Sequence, residues 1–475
     1  MRIAYDIQQT GSARPFSLDP TLGISPNDPL YYLIYGRFMR PLADGTLEPD
    51  LAETVTITSP TTIDIVLRDG MTWHDGAPFD AQSVKDGLER TALAERIGTI
   101  PPAYYSLSSV DVVDPTTARL NISDGTAASW FDRFISSWET SIVRPGTDFS
   151  APVGAGPMSV TAYEPGVNLE LDRFDAYWNA DAVNFAEIEI VAVSGTTPEA
   201  GTNALRADQV DATPTVVAQI PALSGNLEVK SVQTGNLMTY GMICKSKPPL
   251  DDADVRKAIN KAVDRDSVNE AVYGGTAAPA TLLFPEGHRF YSEDVADELA
   301  YDPDGARELL QSSGNENLSF DLYFNDQLGV PDVAQILEAQ LAEVGIDANL
   351  VPAPDFVGQF LGVQAPGAGL VPGVGGVNAL NGISGAALSN PCKYSDPELD
   401  ALAAKLAVVS ASSEEAQQLW DQINVIYAED ALALPIIFPA VLGAYNTETL
   451  EIGDVWPVKA PGVFVPDIYT SHSLG

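Results

Sequence analysis

Three histidines, His74, His288 and His472, are the only imidazoles in the chain, and each stands in a turn-like stretch far from the others. A zinc or nickel site would need the fold itself to gather them, since no H-E-x-x-H or similar spacing does so in sequence. No metal and no cofactor is expected. The 65 carboxylates are so many that some pair will always resemble a glycosidase dyad, so their number carries no catalytic signal. No G-x-S-x-G elbow, P-loop or EF-hand loop is present, and the glycine-rich run from Gly362 to Gly385 has no basic residue to face a phosphate. Asp252 and Arg256, at i and i+4, read as a surface ion pair. Cys244 and Cys392 lack a C-x-x-C neighbour and a nearby histidine, which leaves one structural bridge or two buried thiols. A bridge would close a loop of about 150 residues, worth up to about 5 kcal/mol by chain entropy. These patterns do not point to an enzyme.

The balance of 25 basic against 65 acidic residues gives a formal charge of −40, which excludes nucleic acid and anionic lipid as partners. It suits a solvated acidic surface outside the cell. With 475 residues and 45% hydrophobic content the chain is globular, and its length implies about three folding units. No apolar run reaches the roughly 20 residues a membrane span needs.

The elements that must position any site are legible in places. Arg2 to Ile7 and Thr62 to Leu67 read as strands, the latter alternating apolar and polar residues. Asp80 is an N-cap for a helix over 80–93, and further helices are expected over Leu30 to Phe38 and over 126–137. After the apolar strand Leu237 to Cys244, one long helix is expected with Val255, Ile259, Val263 and Val268 on its buried side and Gly274-Gly275 at its end. Leu318 to Phe324, the helical spacing of Val333, Ile336, Leu337, Leu341 and Val344, and Ile346 to Val351 together read as a βαβ unit with parallel strands.

The run Leu67-Arg68-Asp69-Gly70-Met71-Thr72-Trp73-His74-Asp75-Gly76-Ala77-Pro78-Phe79 resembles the "LRDGvkFHDGxPf" signature of family 5 extracytoplasmic solute-binding proteins, the peptide/nickel-type subunits of ABC importers. Other blocks follow in the family's order: Leu18-Asp19-Pro20, Leu47-Glu48-Pro49-Asp50-Leu51-Ala52-Glu53, Val153-Gly154-Ala155-Gly156-Pro157, Tyr177-Trp178, Ala204-Leu205 to Asp211, and Val255-Arg256-Lys257-Ala258-Ile259. Three departures stand out: Ala155 and Met158, where the family writes Thr and Tyr, and Asp208 at a turn glycine.

The resemblance implies an α/β, two-lobed periplasmic-binding-protein-like fold (type II, peptide-binding-protein subclass) with an extra domain in the first lobe. Lobe I would comprise residues 1–40, 150–240 and 440–475, the inserted domain 41–149, and lobe II 241–439. It further implies a small-molecule ligand held in an interlobe cleft, with membrane permease subunits as partners. The protein would work as a monomer outside the cytoplasm, in the periplasm or as a cell-surface lipoprotein, its export segment having been removed from the start seen here. By matching positions, Ile24, Ser25 and Asn27, then Tyr104 and Tyr105, Tyr240 and Phe438 would line the cleft. Cys244 and Cys392 would lie at junctions of lobe II with the cleft, where a bridge between them is expected.

Residues 356–392 hold no charged side chain, and the family's peptide binders typically place there an aspartate that pairs with the ligand's α-ammonium. This chain offers Asn378 and Asn381 instead, which suits a neutral, hydroxyl- or amide-bearing solute. A secreted glycan hydrolase and a ligand sensor on the same fold, without transport, are the alternatives.

Overall fold

The strand Arg2–Tyr5 lies at the centre of a seven-stranded sheet whose other members come from three distant stretches of chain. A computed structural model describes the protein except for residues 8–15, 23–26, 43–45, 94–103, 105, 124–125, 194–197, 234–236, 326–328, 375–379, 381–382, 384–389, 407, 411–412, 457–462 and 475. Two compact units are formed, one from Met1–Val232 with Val441–Gly475 and the other from Gln233–Ala440.

In the first unit the large sheet runs in the order Leu227–Val232, Val441–Asn446, Ala212–Thr215, Arg2–Tyr5, Glu187–Ala192, Asn168–Arg173, Met158–Glu164. Arg2–Tyr5 is parallel to both of its neighbours, and the remaining pairings are antiparallel. A separate four-stranded antiparallel sheet orders Ala52–Ser59, Thr62–Leu67, Thr117–Ile122 and Leu107–Val112. Thr62–Leu67 shows the expected period of two, with Ile63, Ile65 and Leu67 buried. The helix Ala81–Leu93 starts where Asp80 and Ser83 bond reciprocally, Ser83 N to Asp80 Oδ1 at 3.0 Å and Asp80 N to Ser83 Oγ at 3.2 Å. The helix expected over 126–137 spans Ala127–Phe134, and the first helix spans Asp28–Tyr35. The latter stops at Gly36, whose φ of 70° is left-handed and where a Cβ would meet Leu51 Cδ1 at 2.9 Å.

The second unit is built on a six-stranded sheet ordered Ala278–Pro279, Ala433–Phe438, Leu237–Ile243, Ala368–Val374, Ser319–Phe324, Asp347–Pro352. Ser319–Phe324, the helix Val330–Glu343 and Asp347–Pro352 form the βαβ unit, with parallel register from Ser319 opposite Asp347 to Phe324 opposite Pro352. The single helix expected after residue 251 is two, Ala253–Lys261 and Arg265–Tyr273. Each has its own aspartate cap: Asp252 accepts from Asp254 N, and Asp264 accepts from Ser267 N. Arg256 is not in a surface ion pair with Asp252. It is 3% exposed and donates to the carbonyls of Asp430 (2.8 Å) and Leu250 (3.0 Å).

The charge-free stretch also changes meaning. Ala368–Val374 is an inner strand, paired on one side with Leu237–Ile243 and on the other with Ser319–Phe324. Phe356, Phe360, Leu361, Leu370 and Val371 are all buried. A strand with neighbours on both edges and packing on both faces has no place for a charge. The strand Ala368–Val374 and the rings of Phe356 and Phe360 are therefore core, while Val357 and Val363 between them are exposed.

Candidate functional site

Within the second unit, Tyr240 and Phe438 sit on adjacent strands, where Tyr240 is opposite Pro435 and Thr239 opposite Ile437. Both are buried, and both belong to one apolar cluster with Leu282, Phe284, Phe360 and Trp420. Leu380 and Ile383, the described residues between 375 and 389, anchor in that same cluster. Burial pushes the Tyr240 phenol up to about 12, so it stays protonated. Its ring occupies the space over Gly373, where a Cβ would lie 2.7 Å from Tyr240 Cε1. Cys244, which follows the strand, is joined to Cys392 in a disulfide with the Cα atoms 5.2 Å apart. That bond ties the far end of the charge-free stretch to the end of the strand carrying Tyr240.

In the first unit, Asn27 is 1% exposed at the start of the helix Asp28–Tyr35, and its Nδ2 donates to the Tyr31 hydroxyl at 3.4 Å. Tyr104 is fully buried against Trp130 and Phe134, with ring centroids 5.9 and 5.3 Å away, and its hydroxyl donates to Leu88 O at 3.4 Å. It is a core residue of the unit that holds the four-stranded sheet. Ile24, Ser25, Tyr105, Asn378 and Asn381 lie outside the described residues.

The acids near these positions are already engaged. Asp19 pairs with Arg90 at 2.5 Å and accepts from Thr21 through its other oxygen. Asp28 pairs with Arg37 at 2.7 Å, and its second oxygen accepts from Trp456 Nε1 at 3.2 Å. Glu139 is buried and accepts from the Ser137 hydroxyl.

Two clasps were not legible as such, although their residues stand in the motifs. The Asp50 carboxylate, 2% exposed, accepts from the Tyr177 hydroxyl, from Trp178 Nε1 at 3.0 Å and from Arg37 N at 3.2 Å. His74 accepts from Gly154 N through Nδ1 at 3.2 Å, so its Nε2 carries the proton and donates to Gly156 O at 3.1 Å. Burial lowers its pKa to about 4, keeping the ring neutral. At Gly154 a Cβ would stand 1.9 Å from Ile34 O, which requires glycine there. The motif residues thus hold the first unit together. Among the described residues, no group of three or more His, Cys, Asp or Glu is placed to hold a metal ion.

The family model of the bacterial extracellular solute-binding proteins, family 5 (middle), matches residues 46–366. The glutathione-binding protein GsiB of Salmonella paratyphi A is 25% identical over 464 residues, covering 91% of this chain and 88% of its own. Among solved structures, the ABC transporter substrate binding protein CtaP from Listeria monocytogenes superposes with a TM-score of 0.81 at 21% identity, covering 100% of this chain and 99% of its own. NikA from Brucella suis, in complex with Fe(III)-EDTA, gives 0.81 at 19% identity over 98% of this chain and 100% of its own.

Proposed function

The chain belongs to the bacterial extracellular solute-binding proteins of family 5, and from that premise we propose that it is the solute-capturing subunit of an ABC importer. It would take a small organic solute, peptide-like or otherwise neutral, in the interlobe cleft expected of such proteins and deliver it to membrane permease subunits. The match across residues 46–366 carries this reading, because it runs through stretches of both compact units. Binding to both lobes would favour a closed form by the difference in affinity between the two states.

Solute chemistry is read from what the chain uses its acids for. Asp19, Asp28 and Glu139 each have a partner already, and residues 356–392 contain no acid. An uncompensated ammonium is costly to desolvate, which favours a neutral or N-blocked solute over a free peptide N-terminus. Tyr240 and Phe438, with Leu380 and Ile383 in their cluster, would back a contact surface on the second lobe, and Asn27 would contribute from the first, whereas Tyr104, sealed against Trp130 and Phe134, is left to the core. We assign no reaction to the protein, and we propose a monomer with no nucleic-acid partner. The disulfide supports an oxidising location outside the cytoplasm, in the periplasm or as a lipid-anchored protein at the cell surface.

Native mass spectrometry of the purified protein should detect a co-purifying small solute whose removal lowers the melting temperature and whose return restores it. Turnover of a chromogenic glycoside, with no stabilising solute found, would favour the hydrolase reading instead.

A further inference from the structure

Lys245 is a buried amine without a counter-ion. The residue is 3% exposed, its Nζ donates to the Ile243 carbonyl at 3.4 Å, and the Tyr394 ring centroid lies 5.1 Å away. No carboxylate pairs with it among the described residues. The charged group that acts on it is Arg256, on the helix Ala253–Lys261; the Asp430 carboxylate is reached by the Tyr394 hydroxyl, at 3.5 Å. Burial, reinforced by the Arg256 guanidinium, draws the amine down to about 7.

The turn that brings Tyr394 over this amine is held in an unfavourable shape. Cys392 and Lys393 are consecutive residues with φ of 56° and 54°, a left-handed backbone that side chains with a Cβ disfavour. Cys392 is bonded to Cys244, the residue immediately before Lys245. The strand before Cys244 has bonds of its own: Leu237–Ile243 pairs along its whole length with Ala368–Val374, and Thr239 to Met242 also pair with the strand Ala433–Phe438. Cys392 is half-buried while Cys244 is fully buried, so Cys392 is the residue of the bridge nearer to solvent.

We propose that the Cys244–Cys392 disulfide is a redox latch over Lys245: its reduction lets the 392–394 turn relax, moves the Tyr394 ring away and uncovers the amine as a modification site, with the rest of the unit intact. The step needs an external dithiol. One S–S bond breaks and two S–H bonds form, while the dithiol supplies two electrons and two protons and leaves as its own disulfide. Once uncovered, the amine is hydrated like any surface lysine and can be acylated by an activated ester, forming an amide and releasing the alcohol component. This latch does not depend on which solute the protein binds.

Mass spectrometry of the full-length protein labelled with N-hydroxysuccinimidyl acetate at pH 8 tests this, with the exposed Lys405 as internal reference. In the oxidised protein Lys245 should acetylate at least tenfold more slowly than Lys405. After treatment with dithiothreitol its rate should approach that of Lys405, while far-UV circular dichroism stays unchanged. The double variant Cys244→Ser/Cys392→Ser should label like the reduced protein without any reductant. Three results would overturn the proposal: rapid labelling of Lys245 in the oxidised protein, continued protection once both thiols titrate as free, or loss of the circular dichroism signal on reduction.

Discussion

Arg68 lays its guanidinium 3.5 Å over the ring of Trp178, and the same arginine donates through Nε to the carbonyl of Asp50 at 2.6 Å. Trp178 in turn donates to the Asp50 carboxylate. Three motif blocks, one of them far along the chain from the other two, therefore converge on one buried acid. The residues that give the chain its family signature are occupied in joining the four-stranded sheet's flank to the segment around residue 177.

This makes Asp50 the most sensitive point of the clasp. Asp50→Ala would leave the buried Tyr177 hydroxyl and Arg37 amide without their acceptor, at about 1–3 kcal/mol for each, while the 40% exposed Trp178 indole can turn to water. We expect a loss of about 3 kcal/mol or more in urea unfolding. Trp178→Phe keeps the ring beneath Arg68 and should lose only about 1 kcal/mol. An Asp50→Ala protein as stable as the parent would refute the clasp.

How much of this could be read from the chain depends on whether the cause is local. Thr62–Leu67 and the βαβ unit were legible because burial on one face writes itself as a period. The break between Lys261 and Arg265 was not, because Val255, Ile259 and Val263 keep helical spacing up to a second aspartate cap. Ala368–Val374 was hidden for another reason. It contains Gly369, Pro372 and Gly373, poor strand formers, and the glycines are required by rings from elsewhere. A Cβ on Gly369 would lie 2.6 Å from Phe356 Cζ, and one on Gly373 would meet Tyr240. Long-range occupancy of that kind leaves no trace in spacing. The same holds for the candidate site, where the sequence marks Tyr240 and Phe438 but not the cluster that unites them.

His74 gives a pH dependence with a definite sign. Its folded pKa of about 4 lies below the ordinary value of 6.5, so the folded state binds fewer protons than the unfolded chain between these values. Its contribution is complete above pH 6.5 and is lost as the pH falls towards 4, by about 3 kcal/mol in total. His74→Gln should flatten the stability profile between pH 6.5 and 4, as measured by urea titrations at half-unit steps. Parallel profiles for parent and variant would show that the ring is charged in the fold.

Lys245 acts in the opposite pH range. Its folded pKa of about 7 is below the ordinary 10.5, so the cost of burying the charge grows as the pH falls from 10.5 to 7 and is constant below. Lys245→Met, similar in length and uncharged, should therefore stabilise the protein at pH 6, by up to about 5 kcal/mol, with the gain vanishing near pH 10.5. Thermal melts of parent and variant across that range decide it, and a variant less stable at pH 6 would mean that the ammonium has a partner in solution.

The last prediction concerns ligand charge, and it follows from acids that are already taken. Asp28 has one oxygen on Arg37 and the other on Trp456, Asp19 is held by Arg90, and Glu139 accepts from Ser137. Recruiting any of them to a ligand ammonium would break an existing bond and strand a buried partner, Arg37 above all, whose side chain is 0% exposed. With no acid between residues 356 and 392, a free peptide N-terminus would lose its hydration without a fixed counter-charge, at a cost of several kcal/mol. At about 1.4 kcal/mol per tenfold, that amounts to a factor of about 100 or more in affinity. Calorimetry with trialanine and N-acetyl-trialanine, which share a backbone and differ in the ammonium, should therefore find the acetylated peptide bound more tightly. Tighter binding of the free peptide would show that one of these acids, or another from elsewhere in the chain, turns to meet the ligand, and the neutral-solute reading would fall.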